Sequence, residues 1–393
     1  MLREVLKKSA RDVVICGAYR TPITKANKGG LATTAPEVLL QQVIGGTVER
    51  AGVSKEAVDD VLVGAVLQTL GGHKVSALAV KSLGFPEHTT INTVNRQCAS
   101  SAQAMSYVAN ALRSGELDVG IAAGVESMSF DYFPHRGIPT RVDDALLARA
   151  SQDARDVLMP MGLTSERVAE RFGVSRAAQD EFAFHSHRRA ANATANGHFA
   201  REIVPVTSSE GHVVETDDGI RANISREKLA QLKPVFREDG TTTAGNSSQI
   251  SDGAAAMVLT TRQRAHELGL TPVGRYVFGT VAGVTPGLMG IGPAAAIPQL
   301  LRKVGLETSD IGIWELNEAF ASQSVHCVQT LGLDMEKVNP QGGAIALGHP
   351  LGATGARVVA TLLNGLHAHD RELGVLSMCM STGQGYAGLL VRE

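Results

Sequence analysis

Short runs of Val, Ile, Leu and Ala alternate along this chain with longer segments in which apolar residues recur every three or four positions. The short runs have the length of buried strands, and the longer segments have the spacing of helices that bury one face. The predicted strands are 12–16, 61–66, 89–94 and 119–124, and the predicted helices are 36–50 and 98–113. Strands that alternate with helices indicate an α/β fold with a largely buried sheet.

A similar order of elements returns near the end of the chain. A helix-like segment at 295–304 leads into an apolar run at 310–315, as happens in the first half. Val338-Asn339 then echoes Val94-Asn95, and each pair precedes a loop, a helix of small residues and a buried strand, which is 374–379 in the second half. This order predicts two topologically similar α/β halves.

The segment between the two halves is richer in charged residues and His. It contains helix-like runs at 166–172 and 176–192 and a polar hairpin or loop at 208–218, whereas 251–260 is predicted to be a strand that rejoins the first half. We expect this segment to be an insertion that covers a ligand site. The predicted domains are an N-terminal half (1–125 plus 245–270), an inserted loop and substrate domain (126–244) and a C-terminal half (271–393).

Composition excludes several classes of function. The 393 residues include 37 Lys and Arg against 39 Asp and Glu, so the net charge of −2 creates no field that would gather nucleic acid or an anionic membrane. No apolar run approaches the roughly 18 to 20 residues of a membrane helix, and the start MLREVLKKSARDVV has no signal-peptide core. Four Cys make no disulfide framework, so we expect a soluble, intracellular globular protein.

Cys98 stands where a predicted strand meets a predicted helix, in the sequence Asn95-Arg96-Gln97-Cys98. The unpaired N–H groups and the dipole of a helix N-terminus favour a thiolate and typically lower the pKa of a thiol. Cys98 is therefore a candidate nucleophile. The alternative is a buried, inert cysteine.

The densest group of Gly residues, 342–355, surrounds His349. This group matches neither the GxxxxGK[ST] nor the GxGxxG pattern, so we expect no nucleotide-phosphate loop. His349 precedes a helix in the second half as Cys98 does in the first, and a Cys with a His is the minimal pair for an activated thiol nucleophile. The alternative is a hydrogen-bonded structural His.

Cys379 follows the predicted strand and opens the segment Cys-Met-Ser-Thr-Gly-Gln-Gly. Its thiol could carry a proton, and the Gly-rich backbone could supply oxyanion donors, whereas the alternative is a core cysteine at a strand end. No Cys-x-x-Cys or His-rich ligand spacing occurs, and His185 and His187 are expected on a solvated helix face. We therefore expect no metal site.

Together these motifs resemble the thiolases. The chain is similar to the degradative 3-ketoacyl-CoA branch of that family, most closely to its peroxisomal form, and the resemblance runs nearly end to end. The motifs that carry it are Arg20-Thr21-Pro22, Val94–Cys98, Gly124–Met128, Pro160-Met161-Gly162, Thr243–Ser248, Met289–Pro293, Asn317–Phe320, Gly342–Arg357 and Cys379.

The resemblance implies a five-layered α-β-α-β-α fold and an acetyl-CoA C-acyltransferase of fatty acid β-oxidation. Cys98 would become acylated, His349 would activate it, and Cys379 would shuttle a proton. Asn317 would position a water that forms one oxyanion hole with His349, and the backbone N–H groups of Cys98 and Ser381 would form the other.

The resemblance also implies the partners. Coenzyme A would be a substrate, with no further cofactor, and Ser248 and Arg221 would contact it, while Phe320 and Met289 would line the pantetheine and acyl path. The family implies a homodimer or homotetramer, with no nucleic acid and no membrane as partners. It implies a peroxisomal location, but the C-terminal Val-Arg-Glu is not a Ser-Lys-Leu-type signal, so the cytoplasm stays an alternative.

The chain departs from the family pattern at Ser381, where relatives usually carry Gly, and carries Thr at 382, where they often have Gly or Thr. Gly is required at such a position only if φ is positive or an atom packs on Cα. We therefore predict that Ser381 has negative φ and that its N–H still points at the site beside Cys98.

Three other functions are alternatives to degradative thiolysis. Pro160 resembles the degradative branch, because acetoacetyl-CoA-forming biosynthetic thiolases usually carry His there. A non-catalytic acyl-CoA-binding protein is disfavoured because Cys98, His349, Cys379 and Asn317 occur together. A decarboxylating condensing enzyme is disfavoured because its second proton carrier is not normally a Cys.

Overall fold

The structure is a computed structural model that describes residues 2–135 and 142–393. Residues 136–141, part of the predicted insertion, lie outside the described residues. The strands are β1 (Val13–Arg20), β2 (Thr24–Lys25), β3 (Asp60–Gly64), β4 (Thr90–Val94), β5 (Val119–Ser127), β6 (Val206–Thr207), β7 (Val213–Val214), β8 (Ser251–Thr261), β9 (Gly274–Gly283), β10 (Ile313–Leu316), β11 (Leu373–Met380) and β12 (Gln384–Arg392).

The helices connect these strands and cover both faces of the sheet. They are α1 (Leu2–Leu6), α2 (Pro36–Ala51), α3 (His73–Ser82), α4 (Ser100–Ser114), α5 (Met128–Asp131), α6 (Asp144–Arg149), α7 (Gln152–Asp156), α8 (Met161–Phe172), α9 (Arg176–Ala195), α10 (Arg226–Ala230), α11 (Arg262–Glu267), α12 (Gly292–Val304), α13 (Ala321–Leu331), α14 (Ala344–Leu347) and α15 (Thr354–Ala368).

The strand order repeats in the two halves, as the sequence predicts. In the first half β1, β8 and β5 pair antiparallel, and β5, β3 and β4 then pair parallel. In the second half β9, β12 and β11 pair antiparallel, β11 and β10 pair parallel, and a parallel bridge from Trp314 to Val338 takes the place of β4. A short antiparallel pairing of β1 with β9 joins the halves.

Three hydrophobic cores separate five layers. The central core contains α4 and α15 packed between the inner faces of both half-sheets. A second core lies between the first half-sheet and α2 with α3, and a third lies between the second half-sheet and α12 with α13. The order is helix, sheet, helix, sheet, helix, which confirms the predicted fold.

The observed elements agree closely with the sequence pattern. The polar segment near 210 is a hairpin of β6 and β7, and β8 pairs with β1 and β5, so this strand rejoins the first half. Helix α4 begins at Ser100 and not at Cys98, because Gln97 has a left-handed φ of 50° and the chain enters the helix through a tight turn. The predicted domain boundaries stay a prediction.

Within the described ranges, no helix combines the length and the apolar character needed to cross a membrane.

Candidate active site

The candidate catalytic residues lie at one edge of each half-sheet. Cys98 follows the parallel strand β4, Asn317 follows β10, and Cys379 lies near the end of β11, the parallel neighbour of β10. His349 lies in the loop that leads to α15, as Cys98 lies in the loop that leads to α4. The carboxyl ends of parallel strands form the usual ligand crevice of an α/β sheet, so the fold directs these loops to one region.

Close backbone approach brings the loops of the two halves together. A Cβ at Gly124, near the end of β5, would collide with the carbonyl oxygen of Gly352 and the side chain of Ser101. The loop that carries His349 therefore packs against the first half-sheet and the start of α4. A residue larger than Gly at position 124 would prevent this contact. The buried carboxylate of Glu126 adds to this contact, because it accepts hydrogen bonds from the N–H groups of Leu67 (3.1 Å) and Gly352 (2.9 Å).

Cys98 occupies the turn just before α4 and is half-buried, whereas the other three cysteines are buried. The expectation of a lowered thiol pKa is wrong. Burial raises the pKa of Cys98 to about 12, although the backbone N–H groups of Ser381 and of Cys98 itself act in the opposite direction. Cys98 is not part of the first helical turn, and desolvation of the thiolate outweighs the donors that face it. A base is therefore needed to generate the thiolate at neutral pH.

His349 has the protonation state that such a base requires. Burial and, to a smaller extent, the Arg357 guanidinium lower the pKa of His349 to about 3, so its imidazole is neutral at physiological pH. The Thr354 hydroxyl donates to the Pro350 carbonyl at 3.0 Å, so its oxygen accepts from His349 Nδ1–H at 2.7 Å. The Nε2 atom then carries the free lone pair and can accept a proton.

Cys379 lies within β11, one residue before its end, and is buried with Met289, Ala319, Phe320 and the partly buried Met161. Burial raises the pKa of the Cys379 thiol well above its usual range, and the nearby sulfur of Cys98 adds to this effect. Because each thiolate disfavours the other, the two sulfurs are expected to ionise in turn and not together.

The hairpin between β11 and β12 brings a backbone donor to Cys98. Ser381 does not have positive φ and its N–H faces the Cys98 sulfur, as predicted, while Thr382 (φ 71°) and Gly383 (φ 82°) make the left-handed turn. Gln384 connects this hairpin to the loop before Cys98: its Oε1 accepts from Arg96 at 2.9 Å, and its Nε2 donates to Thr382 Oγ1 at 3.0 Å.

Asn317 and His349 leave polar atoms available to a ligand. Within the described part of the chain, neither the Asn317 side-chain amide nor His349 Nε2 has a hydrogen-bond partner, although both residues are buried. Such groups are rarely left unpaired, so they are suited to bind water or substrate. The segment before β8 contacts the loop of Asn317 and the loop of His349 through the backbone. The N–H of Ser248 donates to the carbonyl of Ala319 at 3.0 Å, and the backbone N–H of His349 donates to the carbonyl of Gln249 at 3.0 Å.

The predicted substrate contacts fall into two groups. Met289 and Phe320 share a buried cluster with Cys379, and the aromatic ring of Phe236, from the predicted insertion, packs edge-on against Phe320 with 6.2 Å between the ring centroids. Arg221 is exposed, and its backbone N–H donates to His187 Nδ1 at 3.1 Å.

The prediction that His187 lies on a solvated face is wrong. His187 is buried beneath Arg221, and burial lowers its pKa to about 4, while His185 is partly exposed and pairs with Glu181. His187 is buried because the loop that carries Arg221, after β7, lies against it, a tertiary contact that helical periodicity does not show.

Among the residues that position the site, Thr354, Gln384 and Glu126 are not predicted from the sequence. Thr354 lies only five residues after His349, so the sequence does place a hydroxyl near the imidazole. The contacts of Gln384 and Glu126 join segments hundreds of residues apart, so no local pattern reveals them.

Comparison with known proteins agrees with this geometry. The chain is 49% identical over 390 residues to the rat peroxisomal 3-ketoacyl-CoA thiolase A, covering 97% of this chain and 89% of that protein. It superposes on the dimeric peroxisomal thiolase of Saccharomyces cerevisiae with a TM-score of 0.95 at 40% identity, covering all of both chains. It superposes on human mitochondrial 3-ketoacyl-CoA thiolase in complex with CoA with a TM-score of 0.87 at 33% identity, covering 98% of each chain.

The family assignment follows from the sequence itself. The thiolase N-terminal domain matches residues 13–263 and the thiolase C-terminal domain matches residues 270–392. Together these matches cover nearly the whole chain, including each of the loops that carry the candidate residues. The chain therefore belongs to the thiolase family.

Proposed function

We propose that the chain is a 3-ketoacyl-CoA thiolase, an acetyl-CoA C-acyltransferase of fatty acid β-oxidation. It would cleave a 3-ketoacyl-CoA with CoA to give acetyl-CoA and an acyl-CoA shortened by two carbons. The observation that carries this proposal is the convergence on Cys98 of two backbone N–H groups, close to a second thiol. Carbon–carbon cleavage by a thiol needs an acyl acceptor, an oxyanion site and an acid for the leaving carbanion, which is this combination.

In the first half-reaction, His349 Nε2 takes the proton of Cys98, and the thiolate attacks the 3-keto carbon of the substrate. The charge that develops on the keto oxygen requires hydrogen-bond donors at fixed positions. Collapse of the adduct breaks the bond between carbons 2 and 3 and leaves the acyl group on Cys98. The electron pair of that bond passes to the acetyl-CoA carbanion, which takes the proton of Cys379.

In the second half-reaction, the Cys379 thiolate takes the proton of an incoming CoA thiol. The CoA sulfur attacks the acyl carbon, the bond to Cys98 breaks, and the shortened acyl-CoA leaves. The proton that His349 holds returns to Cys98. The mutual repulsion of the two thiolates suits this order, because Cys379 becomes a thiolate only after Cys98 has been acylated and has lost its charge.

Coenzyme A is therefore a substrate in this proposal, and the chemistry of the residues requires no further cofactor. We place Ser248 and Arg221 at the CoA and Met289 with Phe320 along the pantetheine and acyl path. The exposed guanidinium of Arg221 is suited to a phosphate, and the buried cluster around Cys379 is suited to an apolar chain. Asn317, His349 and a water would form one oxyanion hole, and the N–H groups of Cys98 and Ser381 the other.

We propose that the protein is a homo-oligomer, and a dimer in particular. Strand β4 is the last strand of the sheet, and among residues 2–135 and 142–393 its only partner strand is β3, so its other edge can pair with a strand of a second copy. The yeast relative with a TM-score of 0.95 is dimeric. The rat relative is peroxisomal, so the resemblance assigns this chain to the peroxisome.

Kinetics with a series of substrates tests the proposed function. We expect CoA-dependent loss of enolate absorbance with 3-ketoacyl-CoAs that have medium and long chains. A strict preference for the four-carbon substrate would favour the biosynthetic alternative. Absence of thiolysis at every length would favour a non-catalytic acyl-CoA-binding protein.

Replacing Thr354 with Val is expected to slow acylation of Cys98 by about tenfold. The hydroxyl accepts from His349 Nδ1–H, and losing one such hydrogen bond costs up to about 1.5 kcal/mol. Stopped-flow measurement of the acylation step checks this, with the Thr354→Ser variant expected to restore the rate. Thr361→Val is the matched control on α15, because Thr361 bonds Glu202 and not His349. An unchanged acylation rate in Thr354→Val would contradict the role of this residue.

Replacing Ser381 with Gly is expected to change turnover by less than about tenfold, or ~1.4 kcal/mol in barrier height. The N–H of Ser381 already faces the Cys98 sulfur without positive φ, so Gly relieves no strain at this residue. Steady-state kcat measures the effect. A large gain in kcat would mean that Ser381 misdirects the donor and would reopen the binding-protein alternative.

A further inference from the structure

Gln323, on α13, contacts the sulfur of Cys379. The Gln323 side chain is buried, and its amide lies 3.1 Å from Cys379 Sγ. A Cβ at Gly290 would collide with Gln323 Cβ, so the 286–291 turn lies directly against this side chain. The amide is therefore confined between α13, this turn and the end of β11.

Two backbone groups determine how the Gln323 amide is oriented. In one orientation Oε1 accepts from the Cys379 thiol and Nε2 donates to the Ser324 hydroxyl at 2.8 Å. In this orientation, however, Oε1 also faces the Asn317 carbonyl, and Nε2 faces the Ser324 N–H. In the opposite orientation Nε2 donates to the Asn317 carbonyl at 3.2 Å, and Oε1 accepts from the Ser324 N–H at 2.6 Å and its hydroxyl at 2.8 Å. A carbonyl only accepts and an N–H only donates, so the second orientation is favoured.

In the favoured orientation the nitrogen occupies the position that faces the Cys379 sulfur. One hydrogen of Nε2 is directed to the Asn317 carbonyl, and the other is free to donate to the sulfur. A thiolate is an acceptor only, and hydrogen bonds to an ionised group are about twice as strong as neutral ones. We propose that Gln323 is a positioning residue that holds an amide N–H against Cys379 and favours its thiolate form.

This role matters because the other groups around Cys379 oppose ionisation. The titratable groups that face it are the thiols of Cys98 and Cys327, and both disfavour a second negative charge, as does burial. The inference rests on the proposed function, in which Cys379 gives its proton to the acetyl-CoA carbanion, keeps the electron pair of the S–H bond and then takes a proton from CoA. Gln323 would stabilise the thiolate that exists between these two transfers.

Alkylation in the absence of substrate tests this inference separately from the proposed function. The Cys98→Ser background removes the more exposed thiol, and peptide mass spectrometry follows iodoacetamide modification of Cys379 at fixed pH. A charge-assisted hydrogen bond corresponds to a shift of about one to two pH units in the thiol titration. Loss of this bond leaves a smaller fraction of Cys379 as thiolate at the fixed pH, but the thiolate of a thiol with higher pKa is also more nucleophilic. The two effects partly cancel, so Gln323→Met should slow alkylation by about three- to tenfold.

Gln323→Glu is the isosteric variant and replaces the donor by a carboxylate, so it should slow alkylation at least as much. Gln179→Met is the matched control, because Gln179 is a buried amide on α9 that bonds Val174 and Thr241 and contacts no thiol. Exchange of the α protons of acetyl-CoA, measured with Cys98 intact, should fall in both Gln323 variants while KM changes little. Unchanged alkylation of Cys379 in folded Gln323→Met and Gln323→Glu would overturn the inference, whatever the thiolysis assays show.

Discussion

The Cys98→Ser variant should lose thiolysis by at least about four powers of ten while it keeps its fold. Removing the nucleophile typically lowers the rate of an enzyme by a factor of this size, because the other catalytic groups act only through the nucleophile. Serine is nearly isosteric with cysteine, but its hydroxyl is a much weaker acid than a thiol. His349, whose pKa burial lowers to about 3, is too weak a base to compensate. Steady-state thiolysis and circular dichroism measure the two parts of this prediction.

Cys16→Ser is the matched control for this change. Cys16 is buried on β1 in the outer core of the first half, and burial raises the pKa of its thiol to about 12 as well. The control makes the same substitution at a buried thiol outside the site and should keep turnover. If Cys98→Ser retained turnover within about tenfold of the unaltered protein, Cys98 would not be the nucleophile.

The Cys379→Ser variant should lose thiolysis by about two to four powers of ten, the usual contribution of a general acid or base. Its defect should differ in kind from that of Cys98→Ser. Cys98 keeps its base and its two N–H donors, so the variant should still accept an acyl group from an activated acyl-CoA. It should fail to exchange the α protons of acetyl-CoA with solvent, which nuclear magnetic resonance in deuterated buffer measures.

Cys327→Ser provides the comparison for Cys379. Cys327 is a buried thiol on α13 that lies near Cys379 and donates to the Gly290 carbonyl at 3.5 Å. We expect proton exchange to persist in this control. Exchange at the unaltered rate in Cys379→Ser would assign the proton transfer to another group.

The repeated architecture could be predicted from the sequence because four of its parallel strands, β3, β5, β10 and β11, are buried on both faces. Runs such as 119–124 are apolar at every position, and β5 is buried throughout. The apolar pattern of the sequence does not predict strands β9 and β12. Half of the residues of β9 are only partly buried, so this strand gives a weak apolar signal.

The members of the candidate site could be identified in sequence, but their electrostatics could not. The motifs around Cys98, His349 and Cys379 are local, whereas the pKa of each group depends on packing by distant segments. Cys98 shows this most clearly, since helix geometry alone predicts a lowered pKa and burial reverses the direction. The tautomer of His349 likewise depends on the single hydrogen of the Thr354 hydroxyl and on where it is donated.

Mass spectrometry of the protein after incubation with a 3-ketoacyl-CoA, in the absence of free CoA, tests the central claim most directly. The account predicts one added acyl group, shorter by two carbons than the substrate's acyl chain, on the peptide that contains Cys98. Addition of CoA should remove this group and release the shortened acyl-CoA. An adduct on Cys379, Cys16 or Cys327 in its place, or turnover with no acylated intermediate at Cys98, would contradict the account.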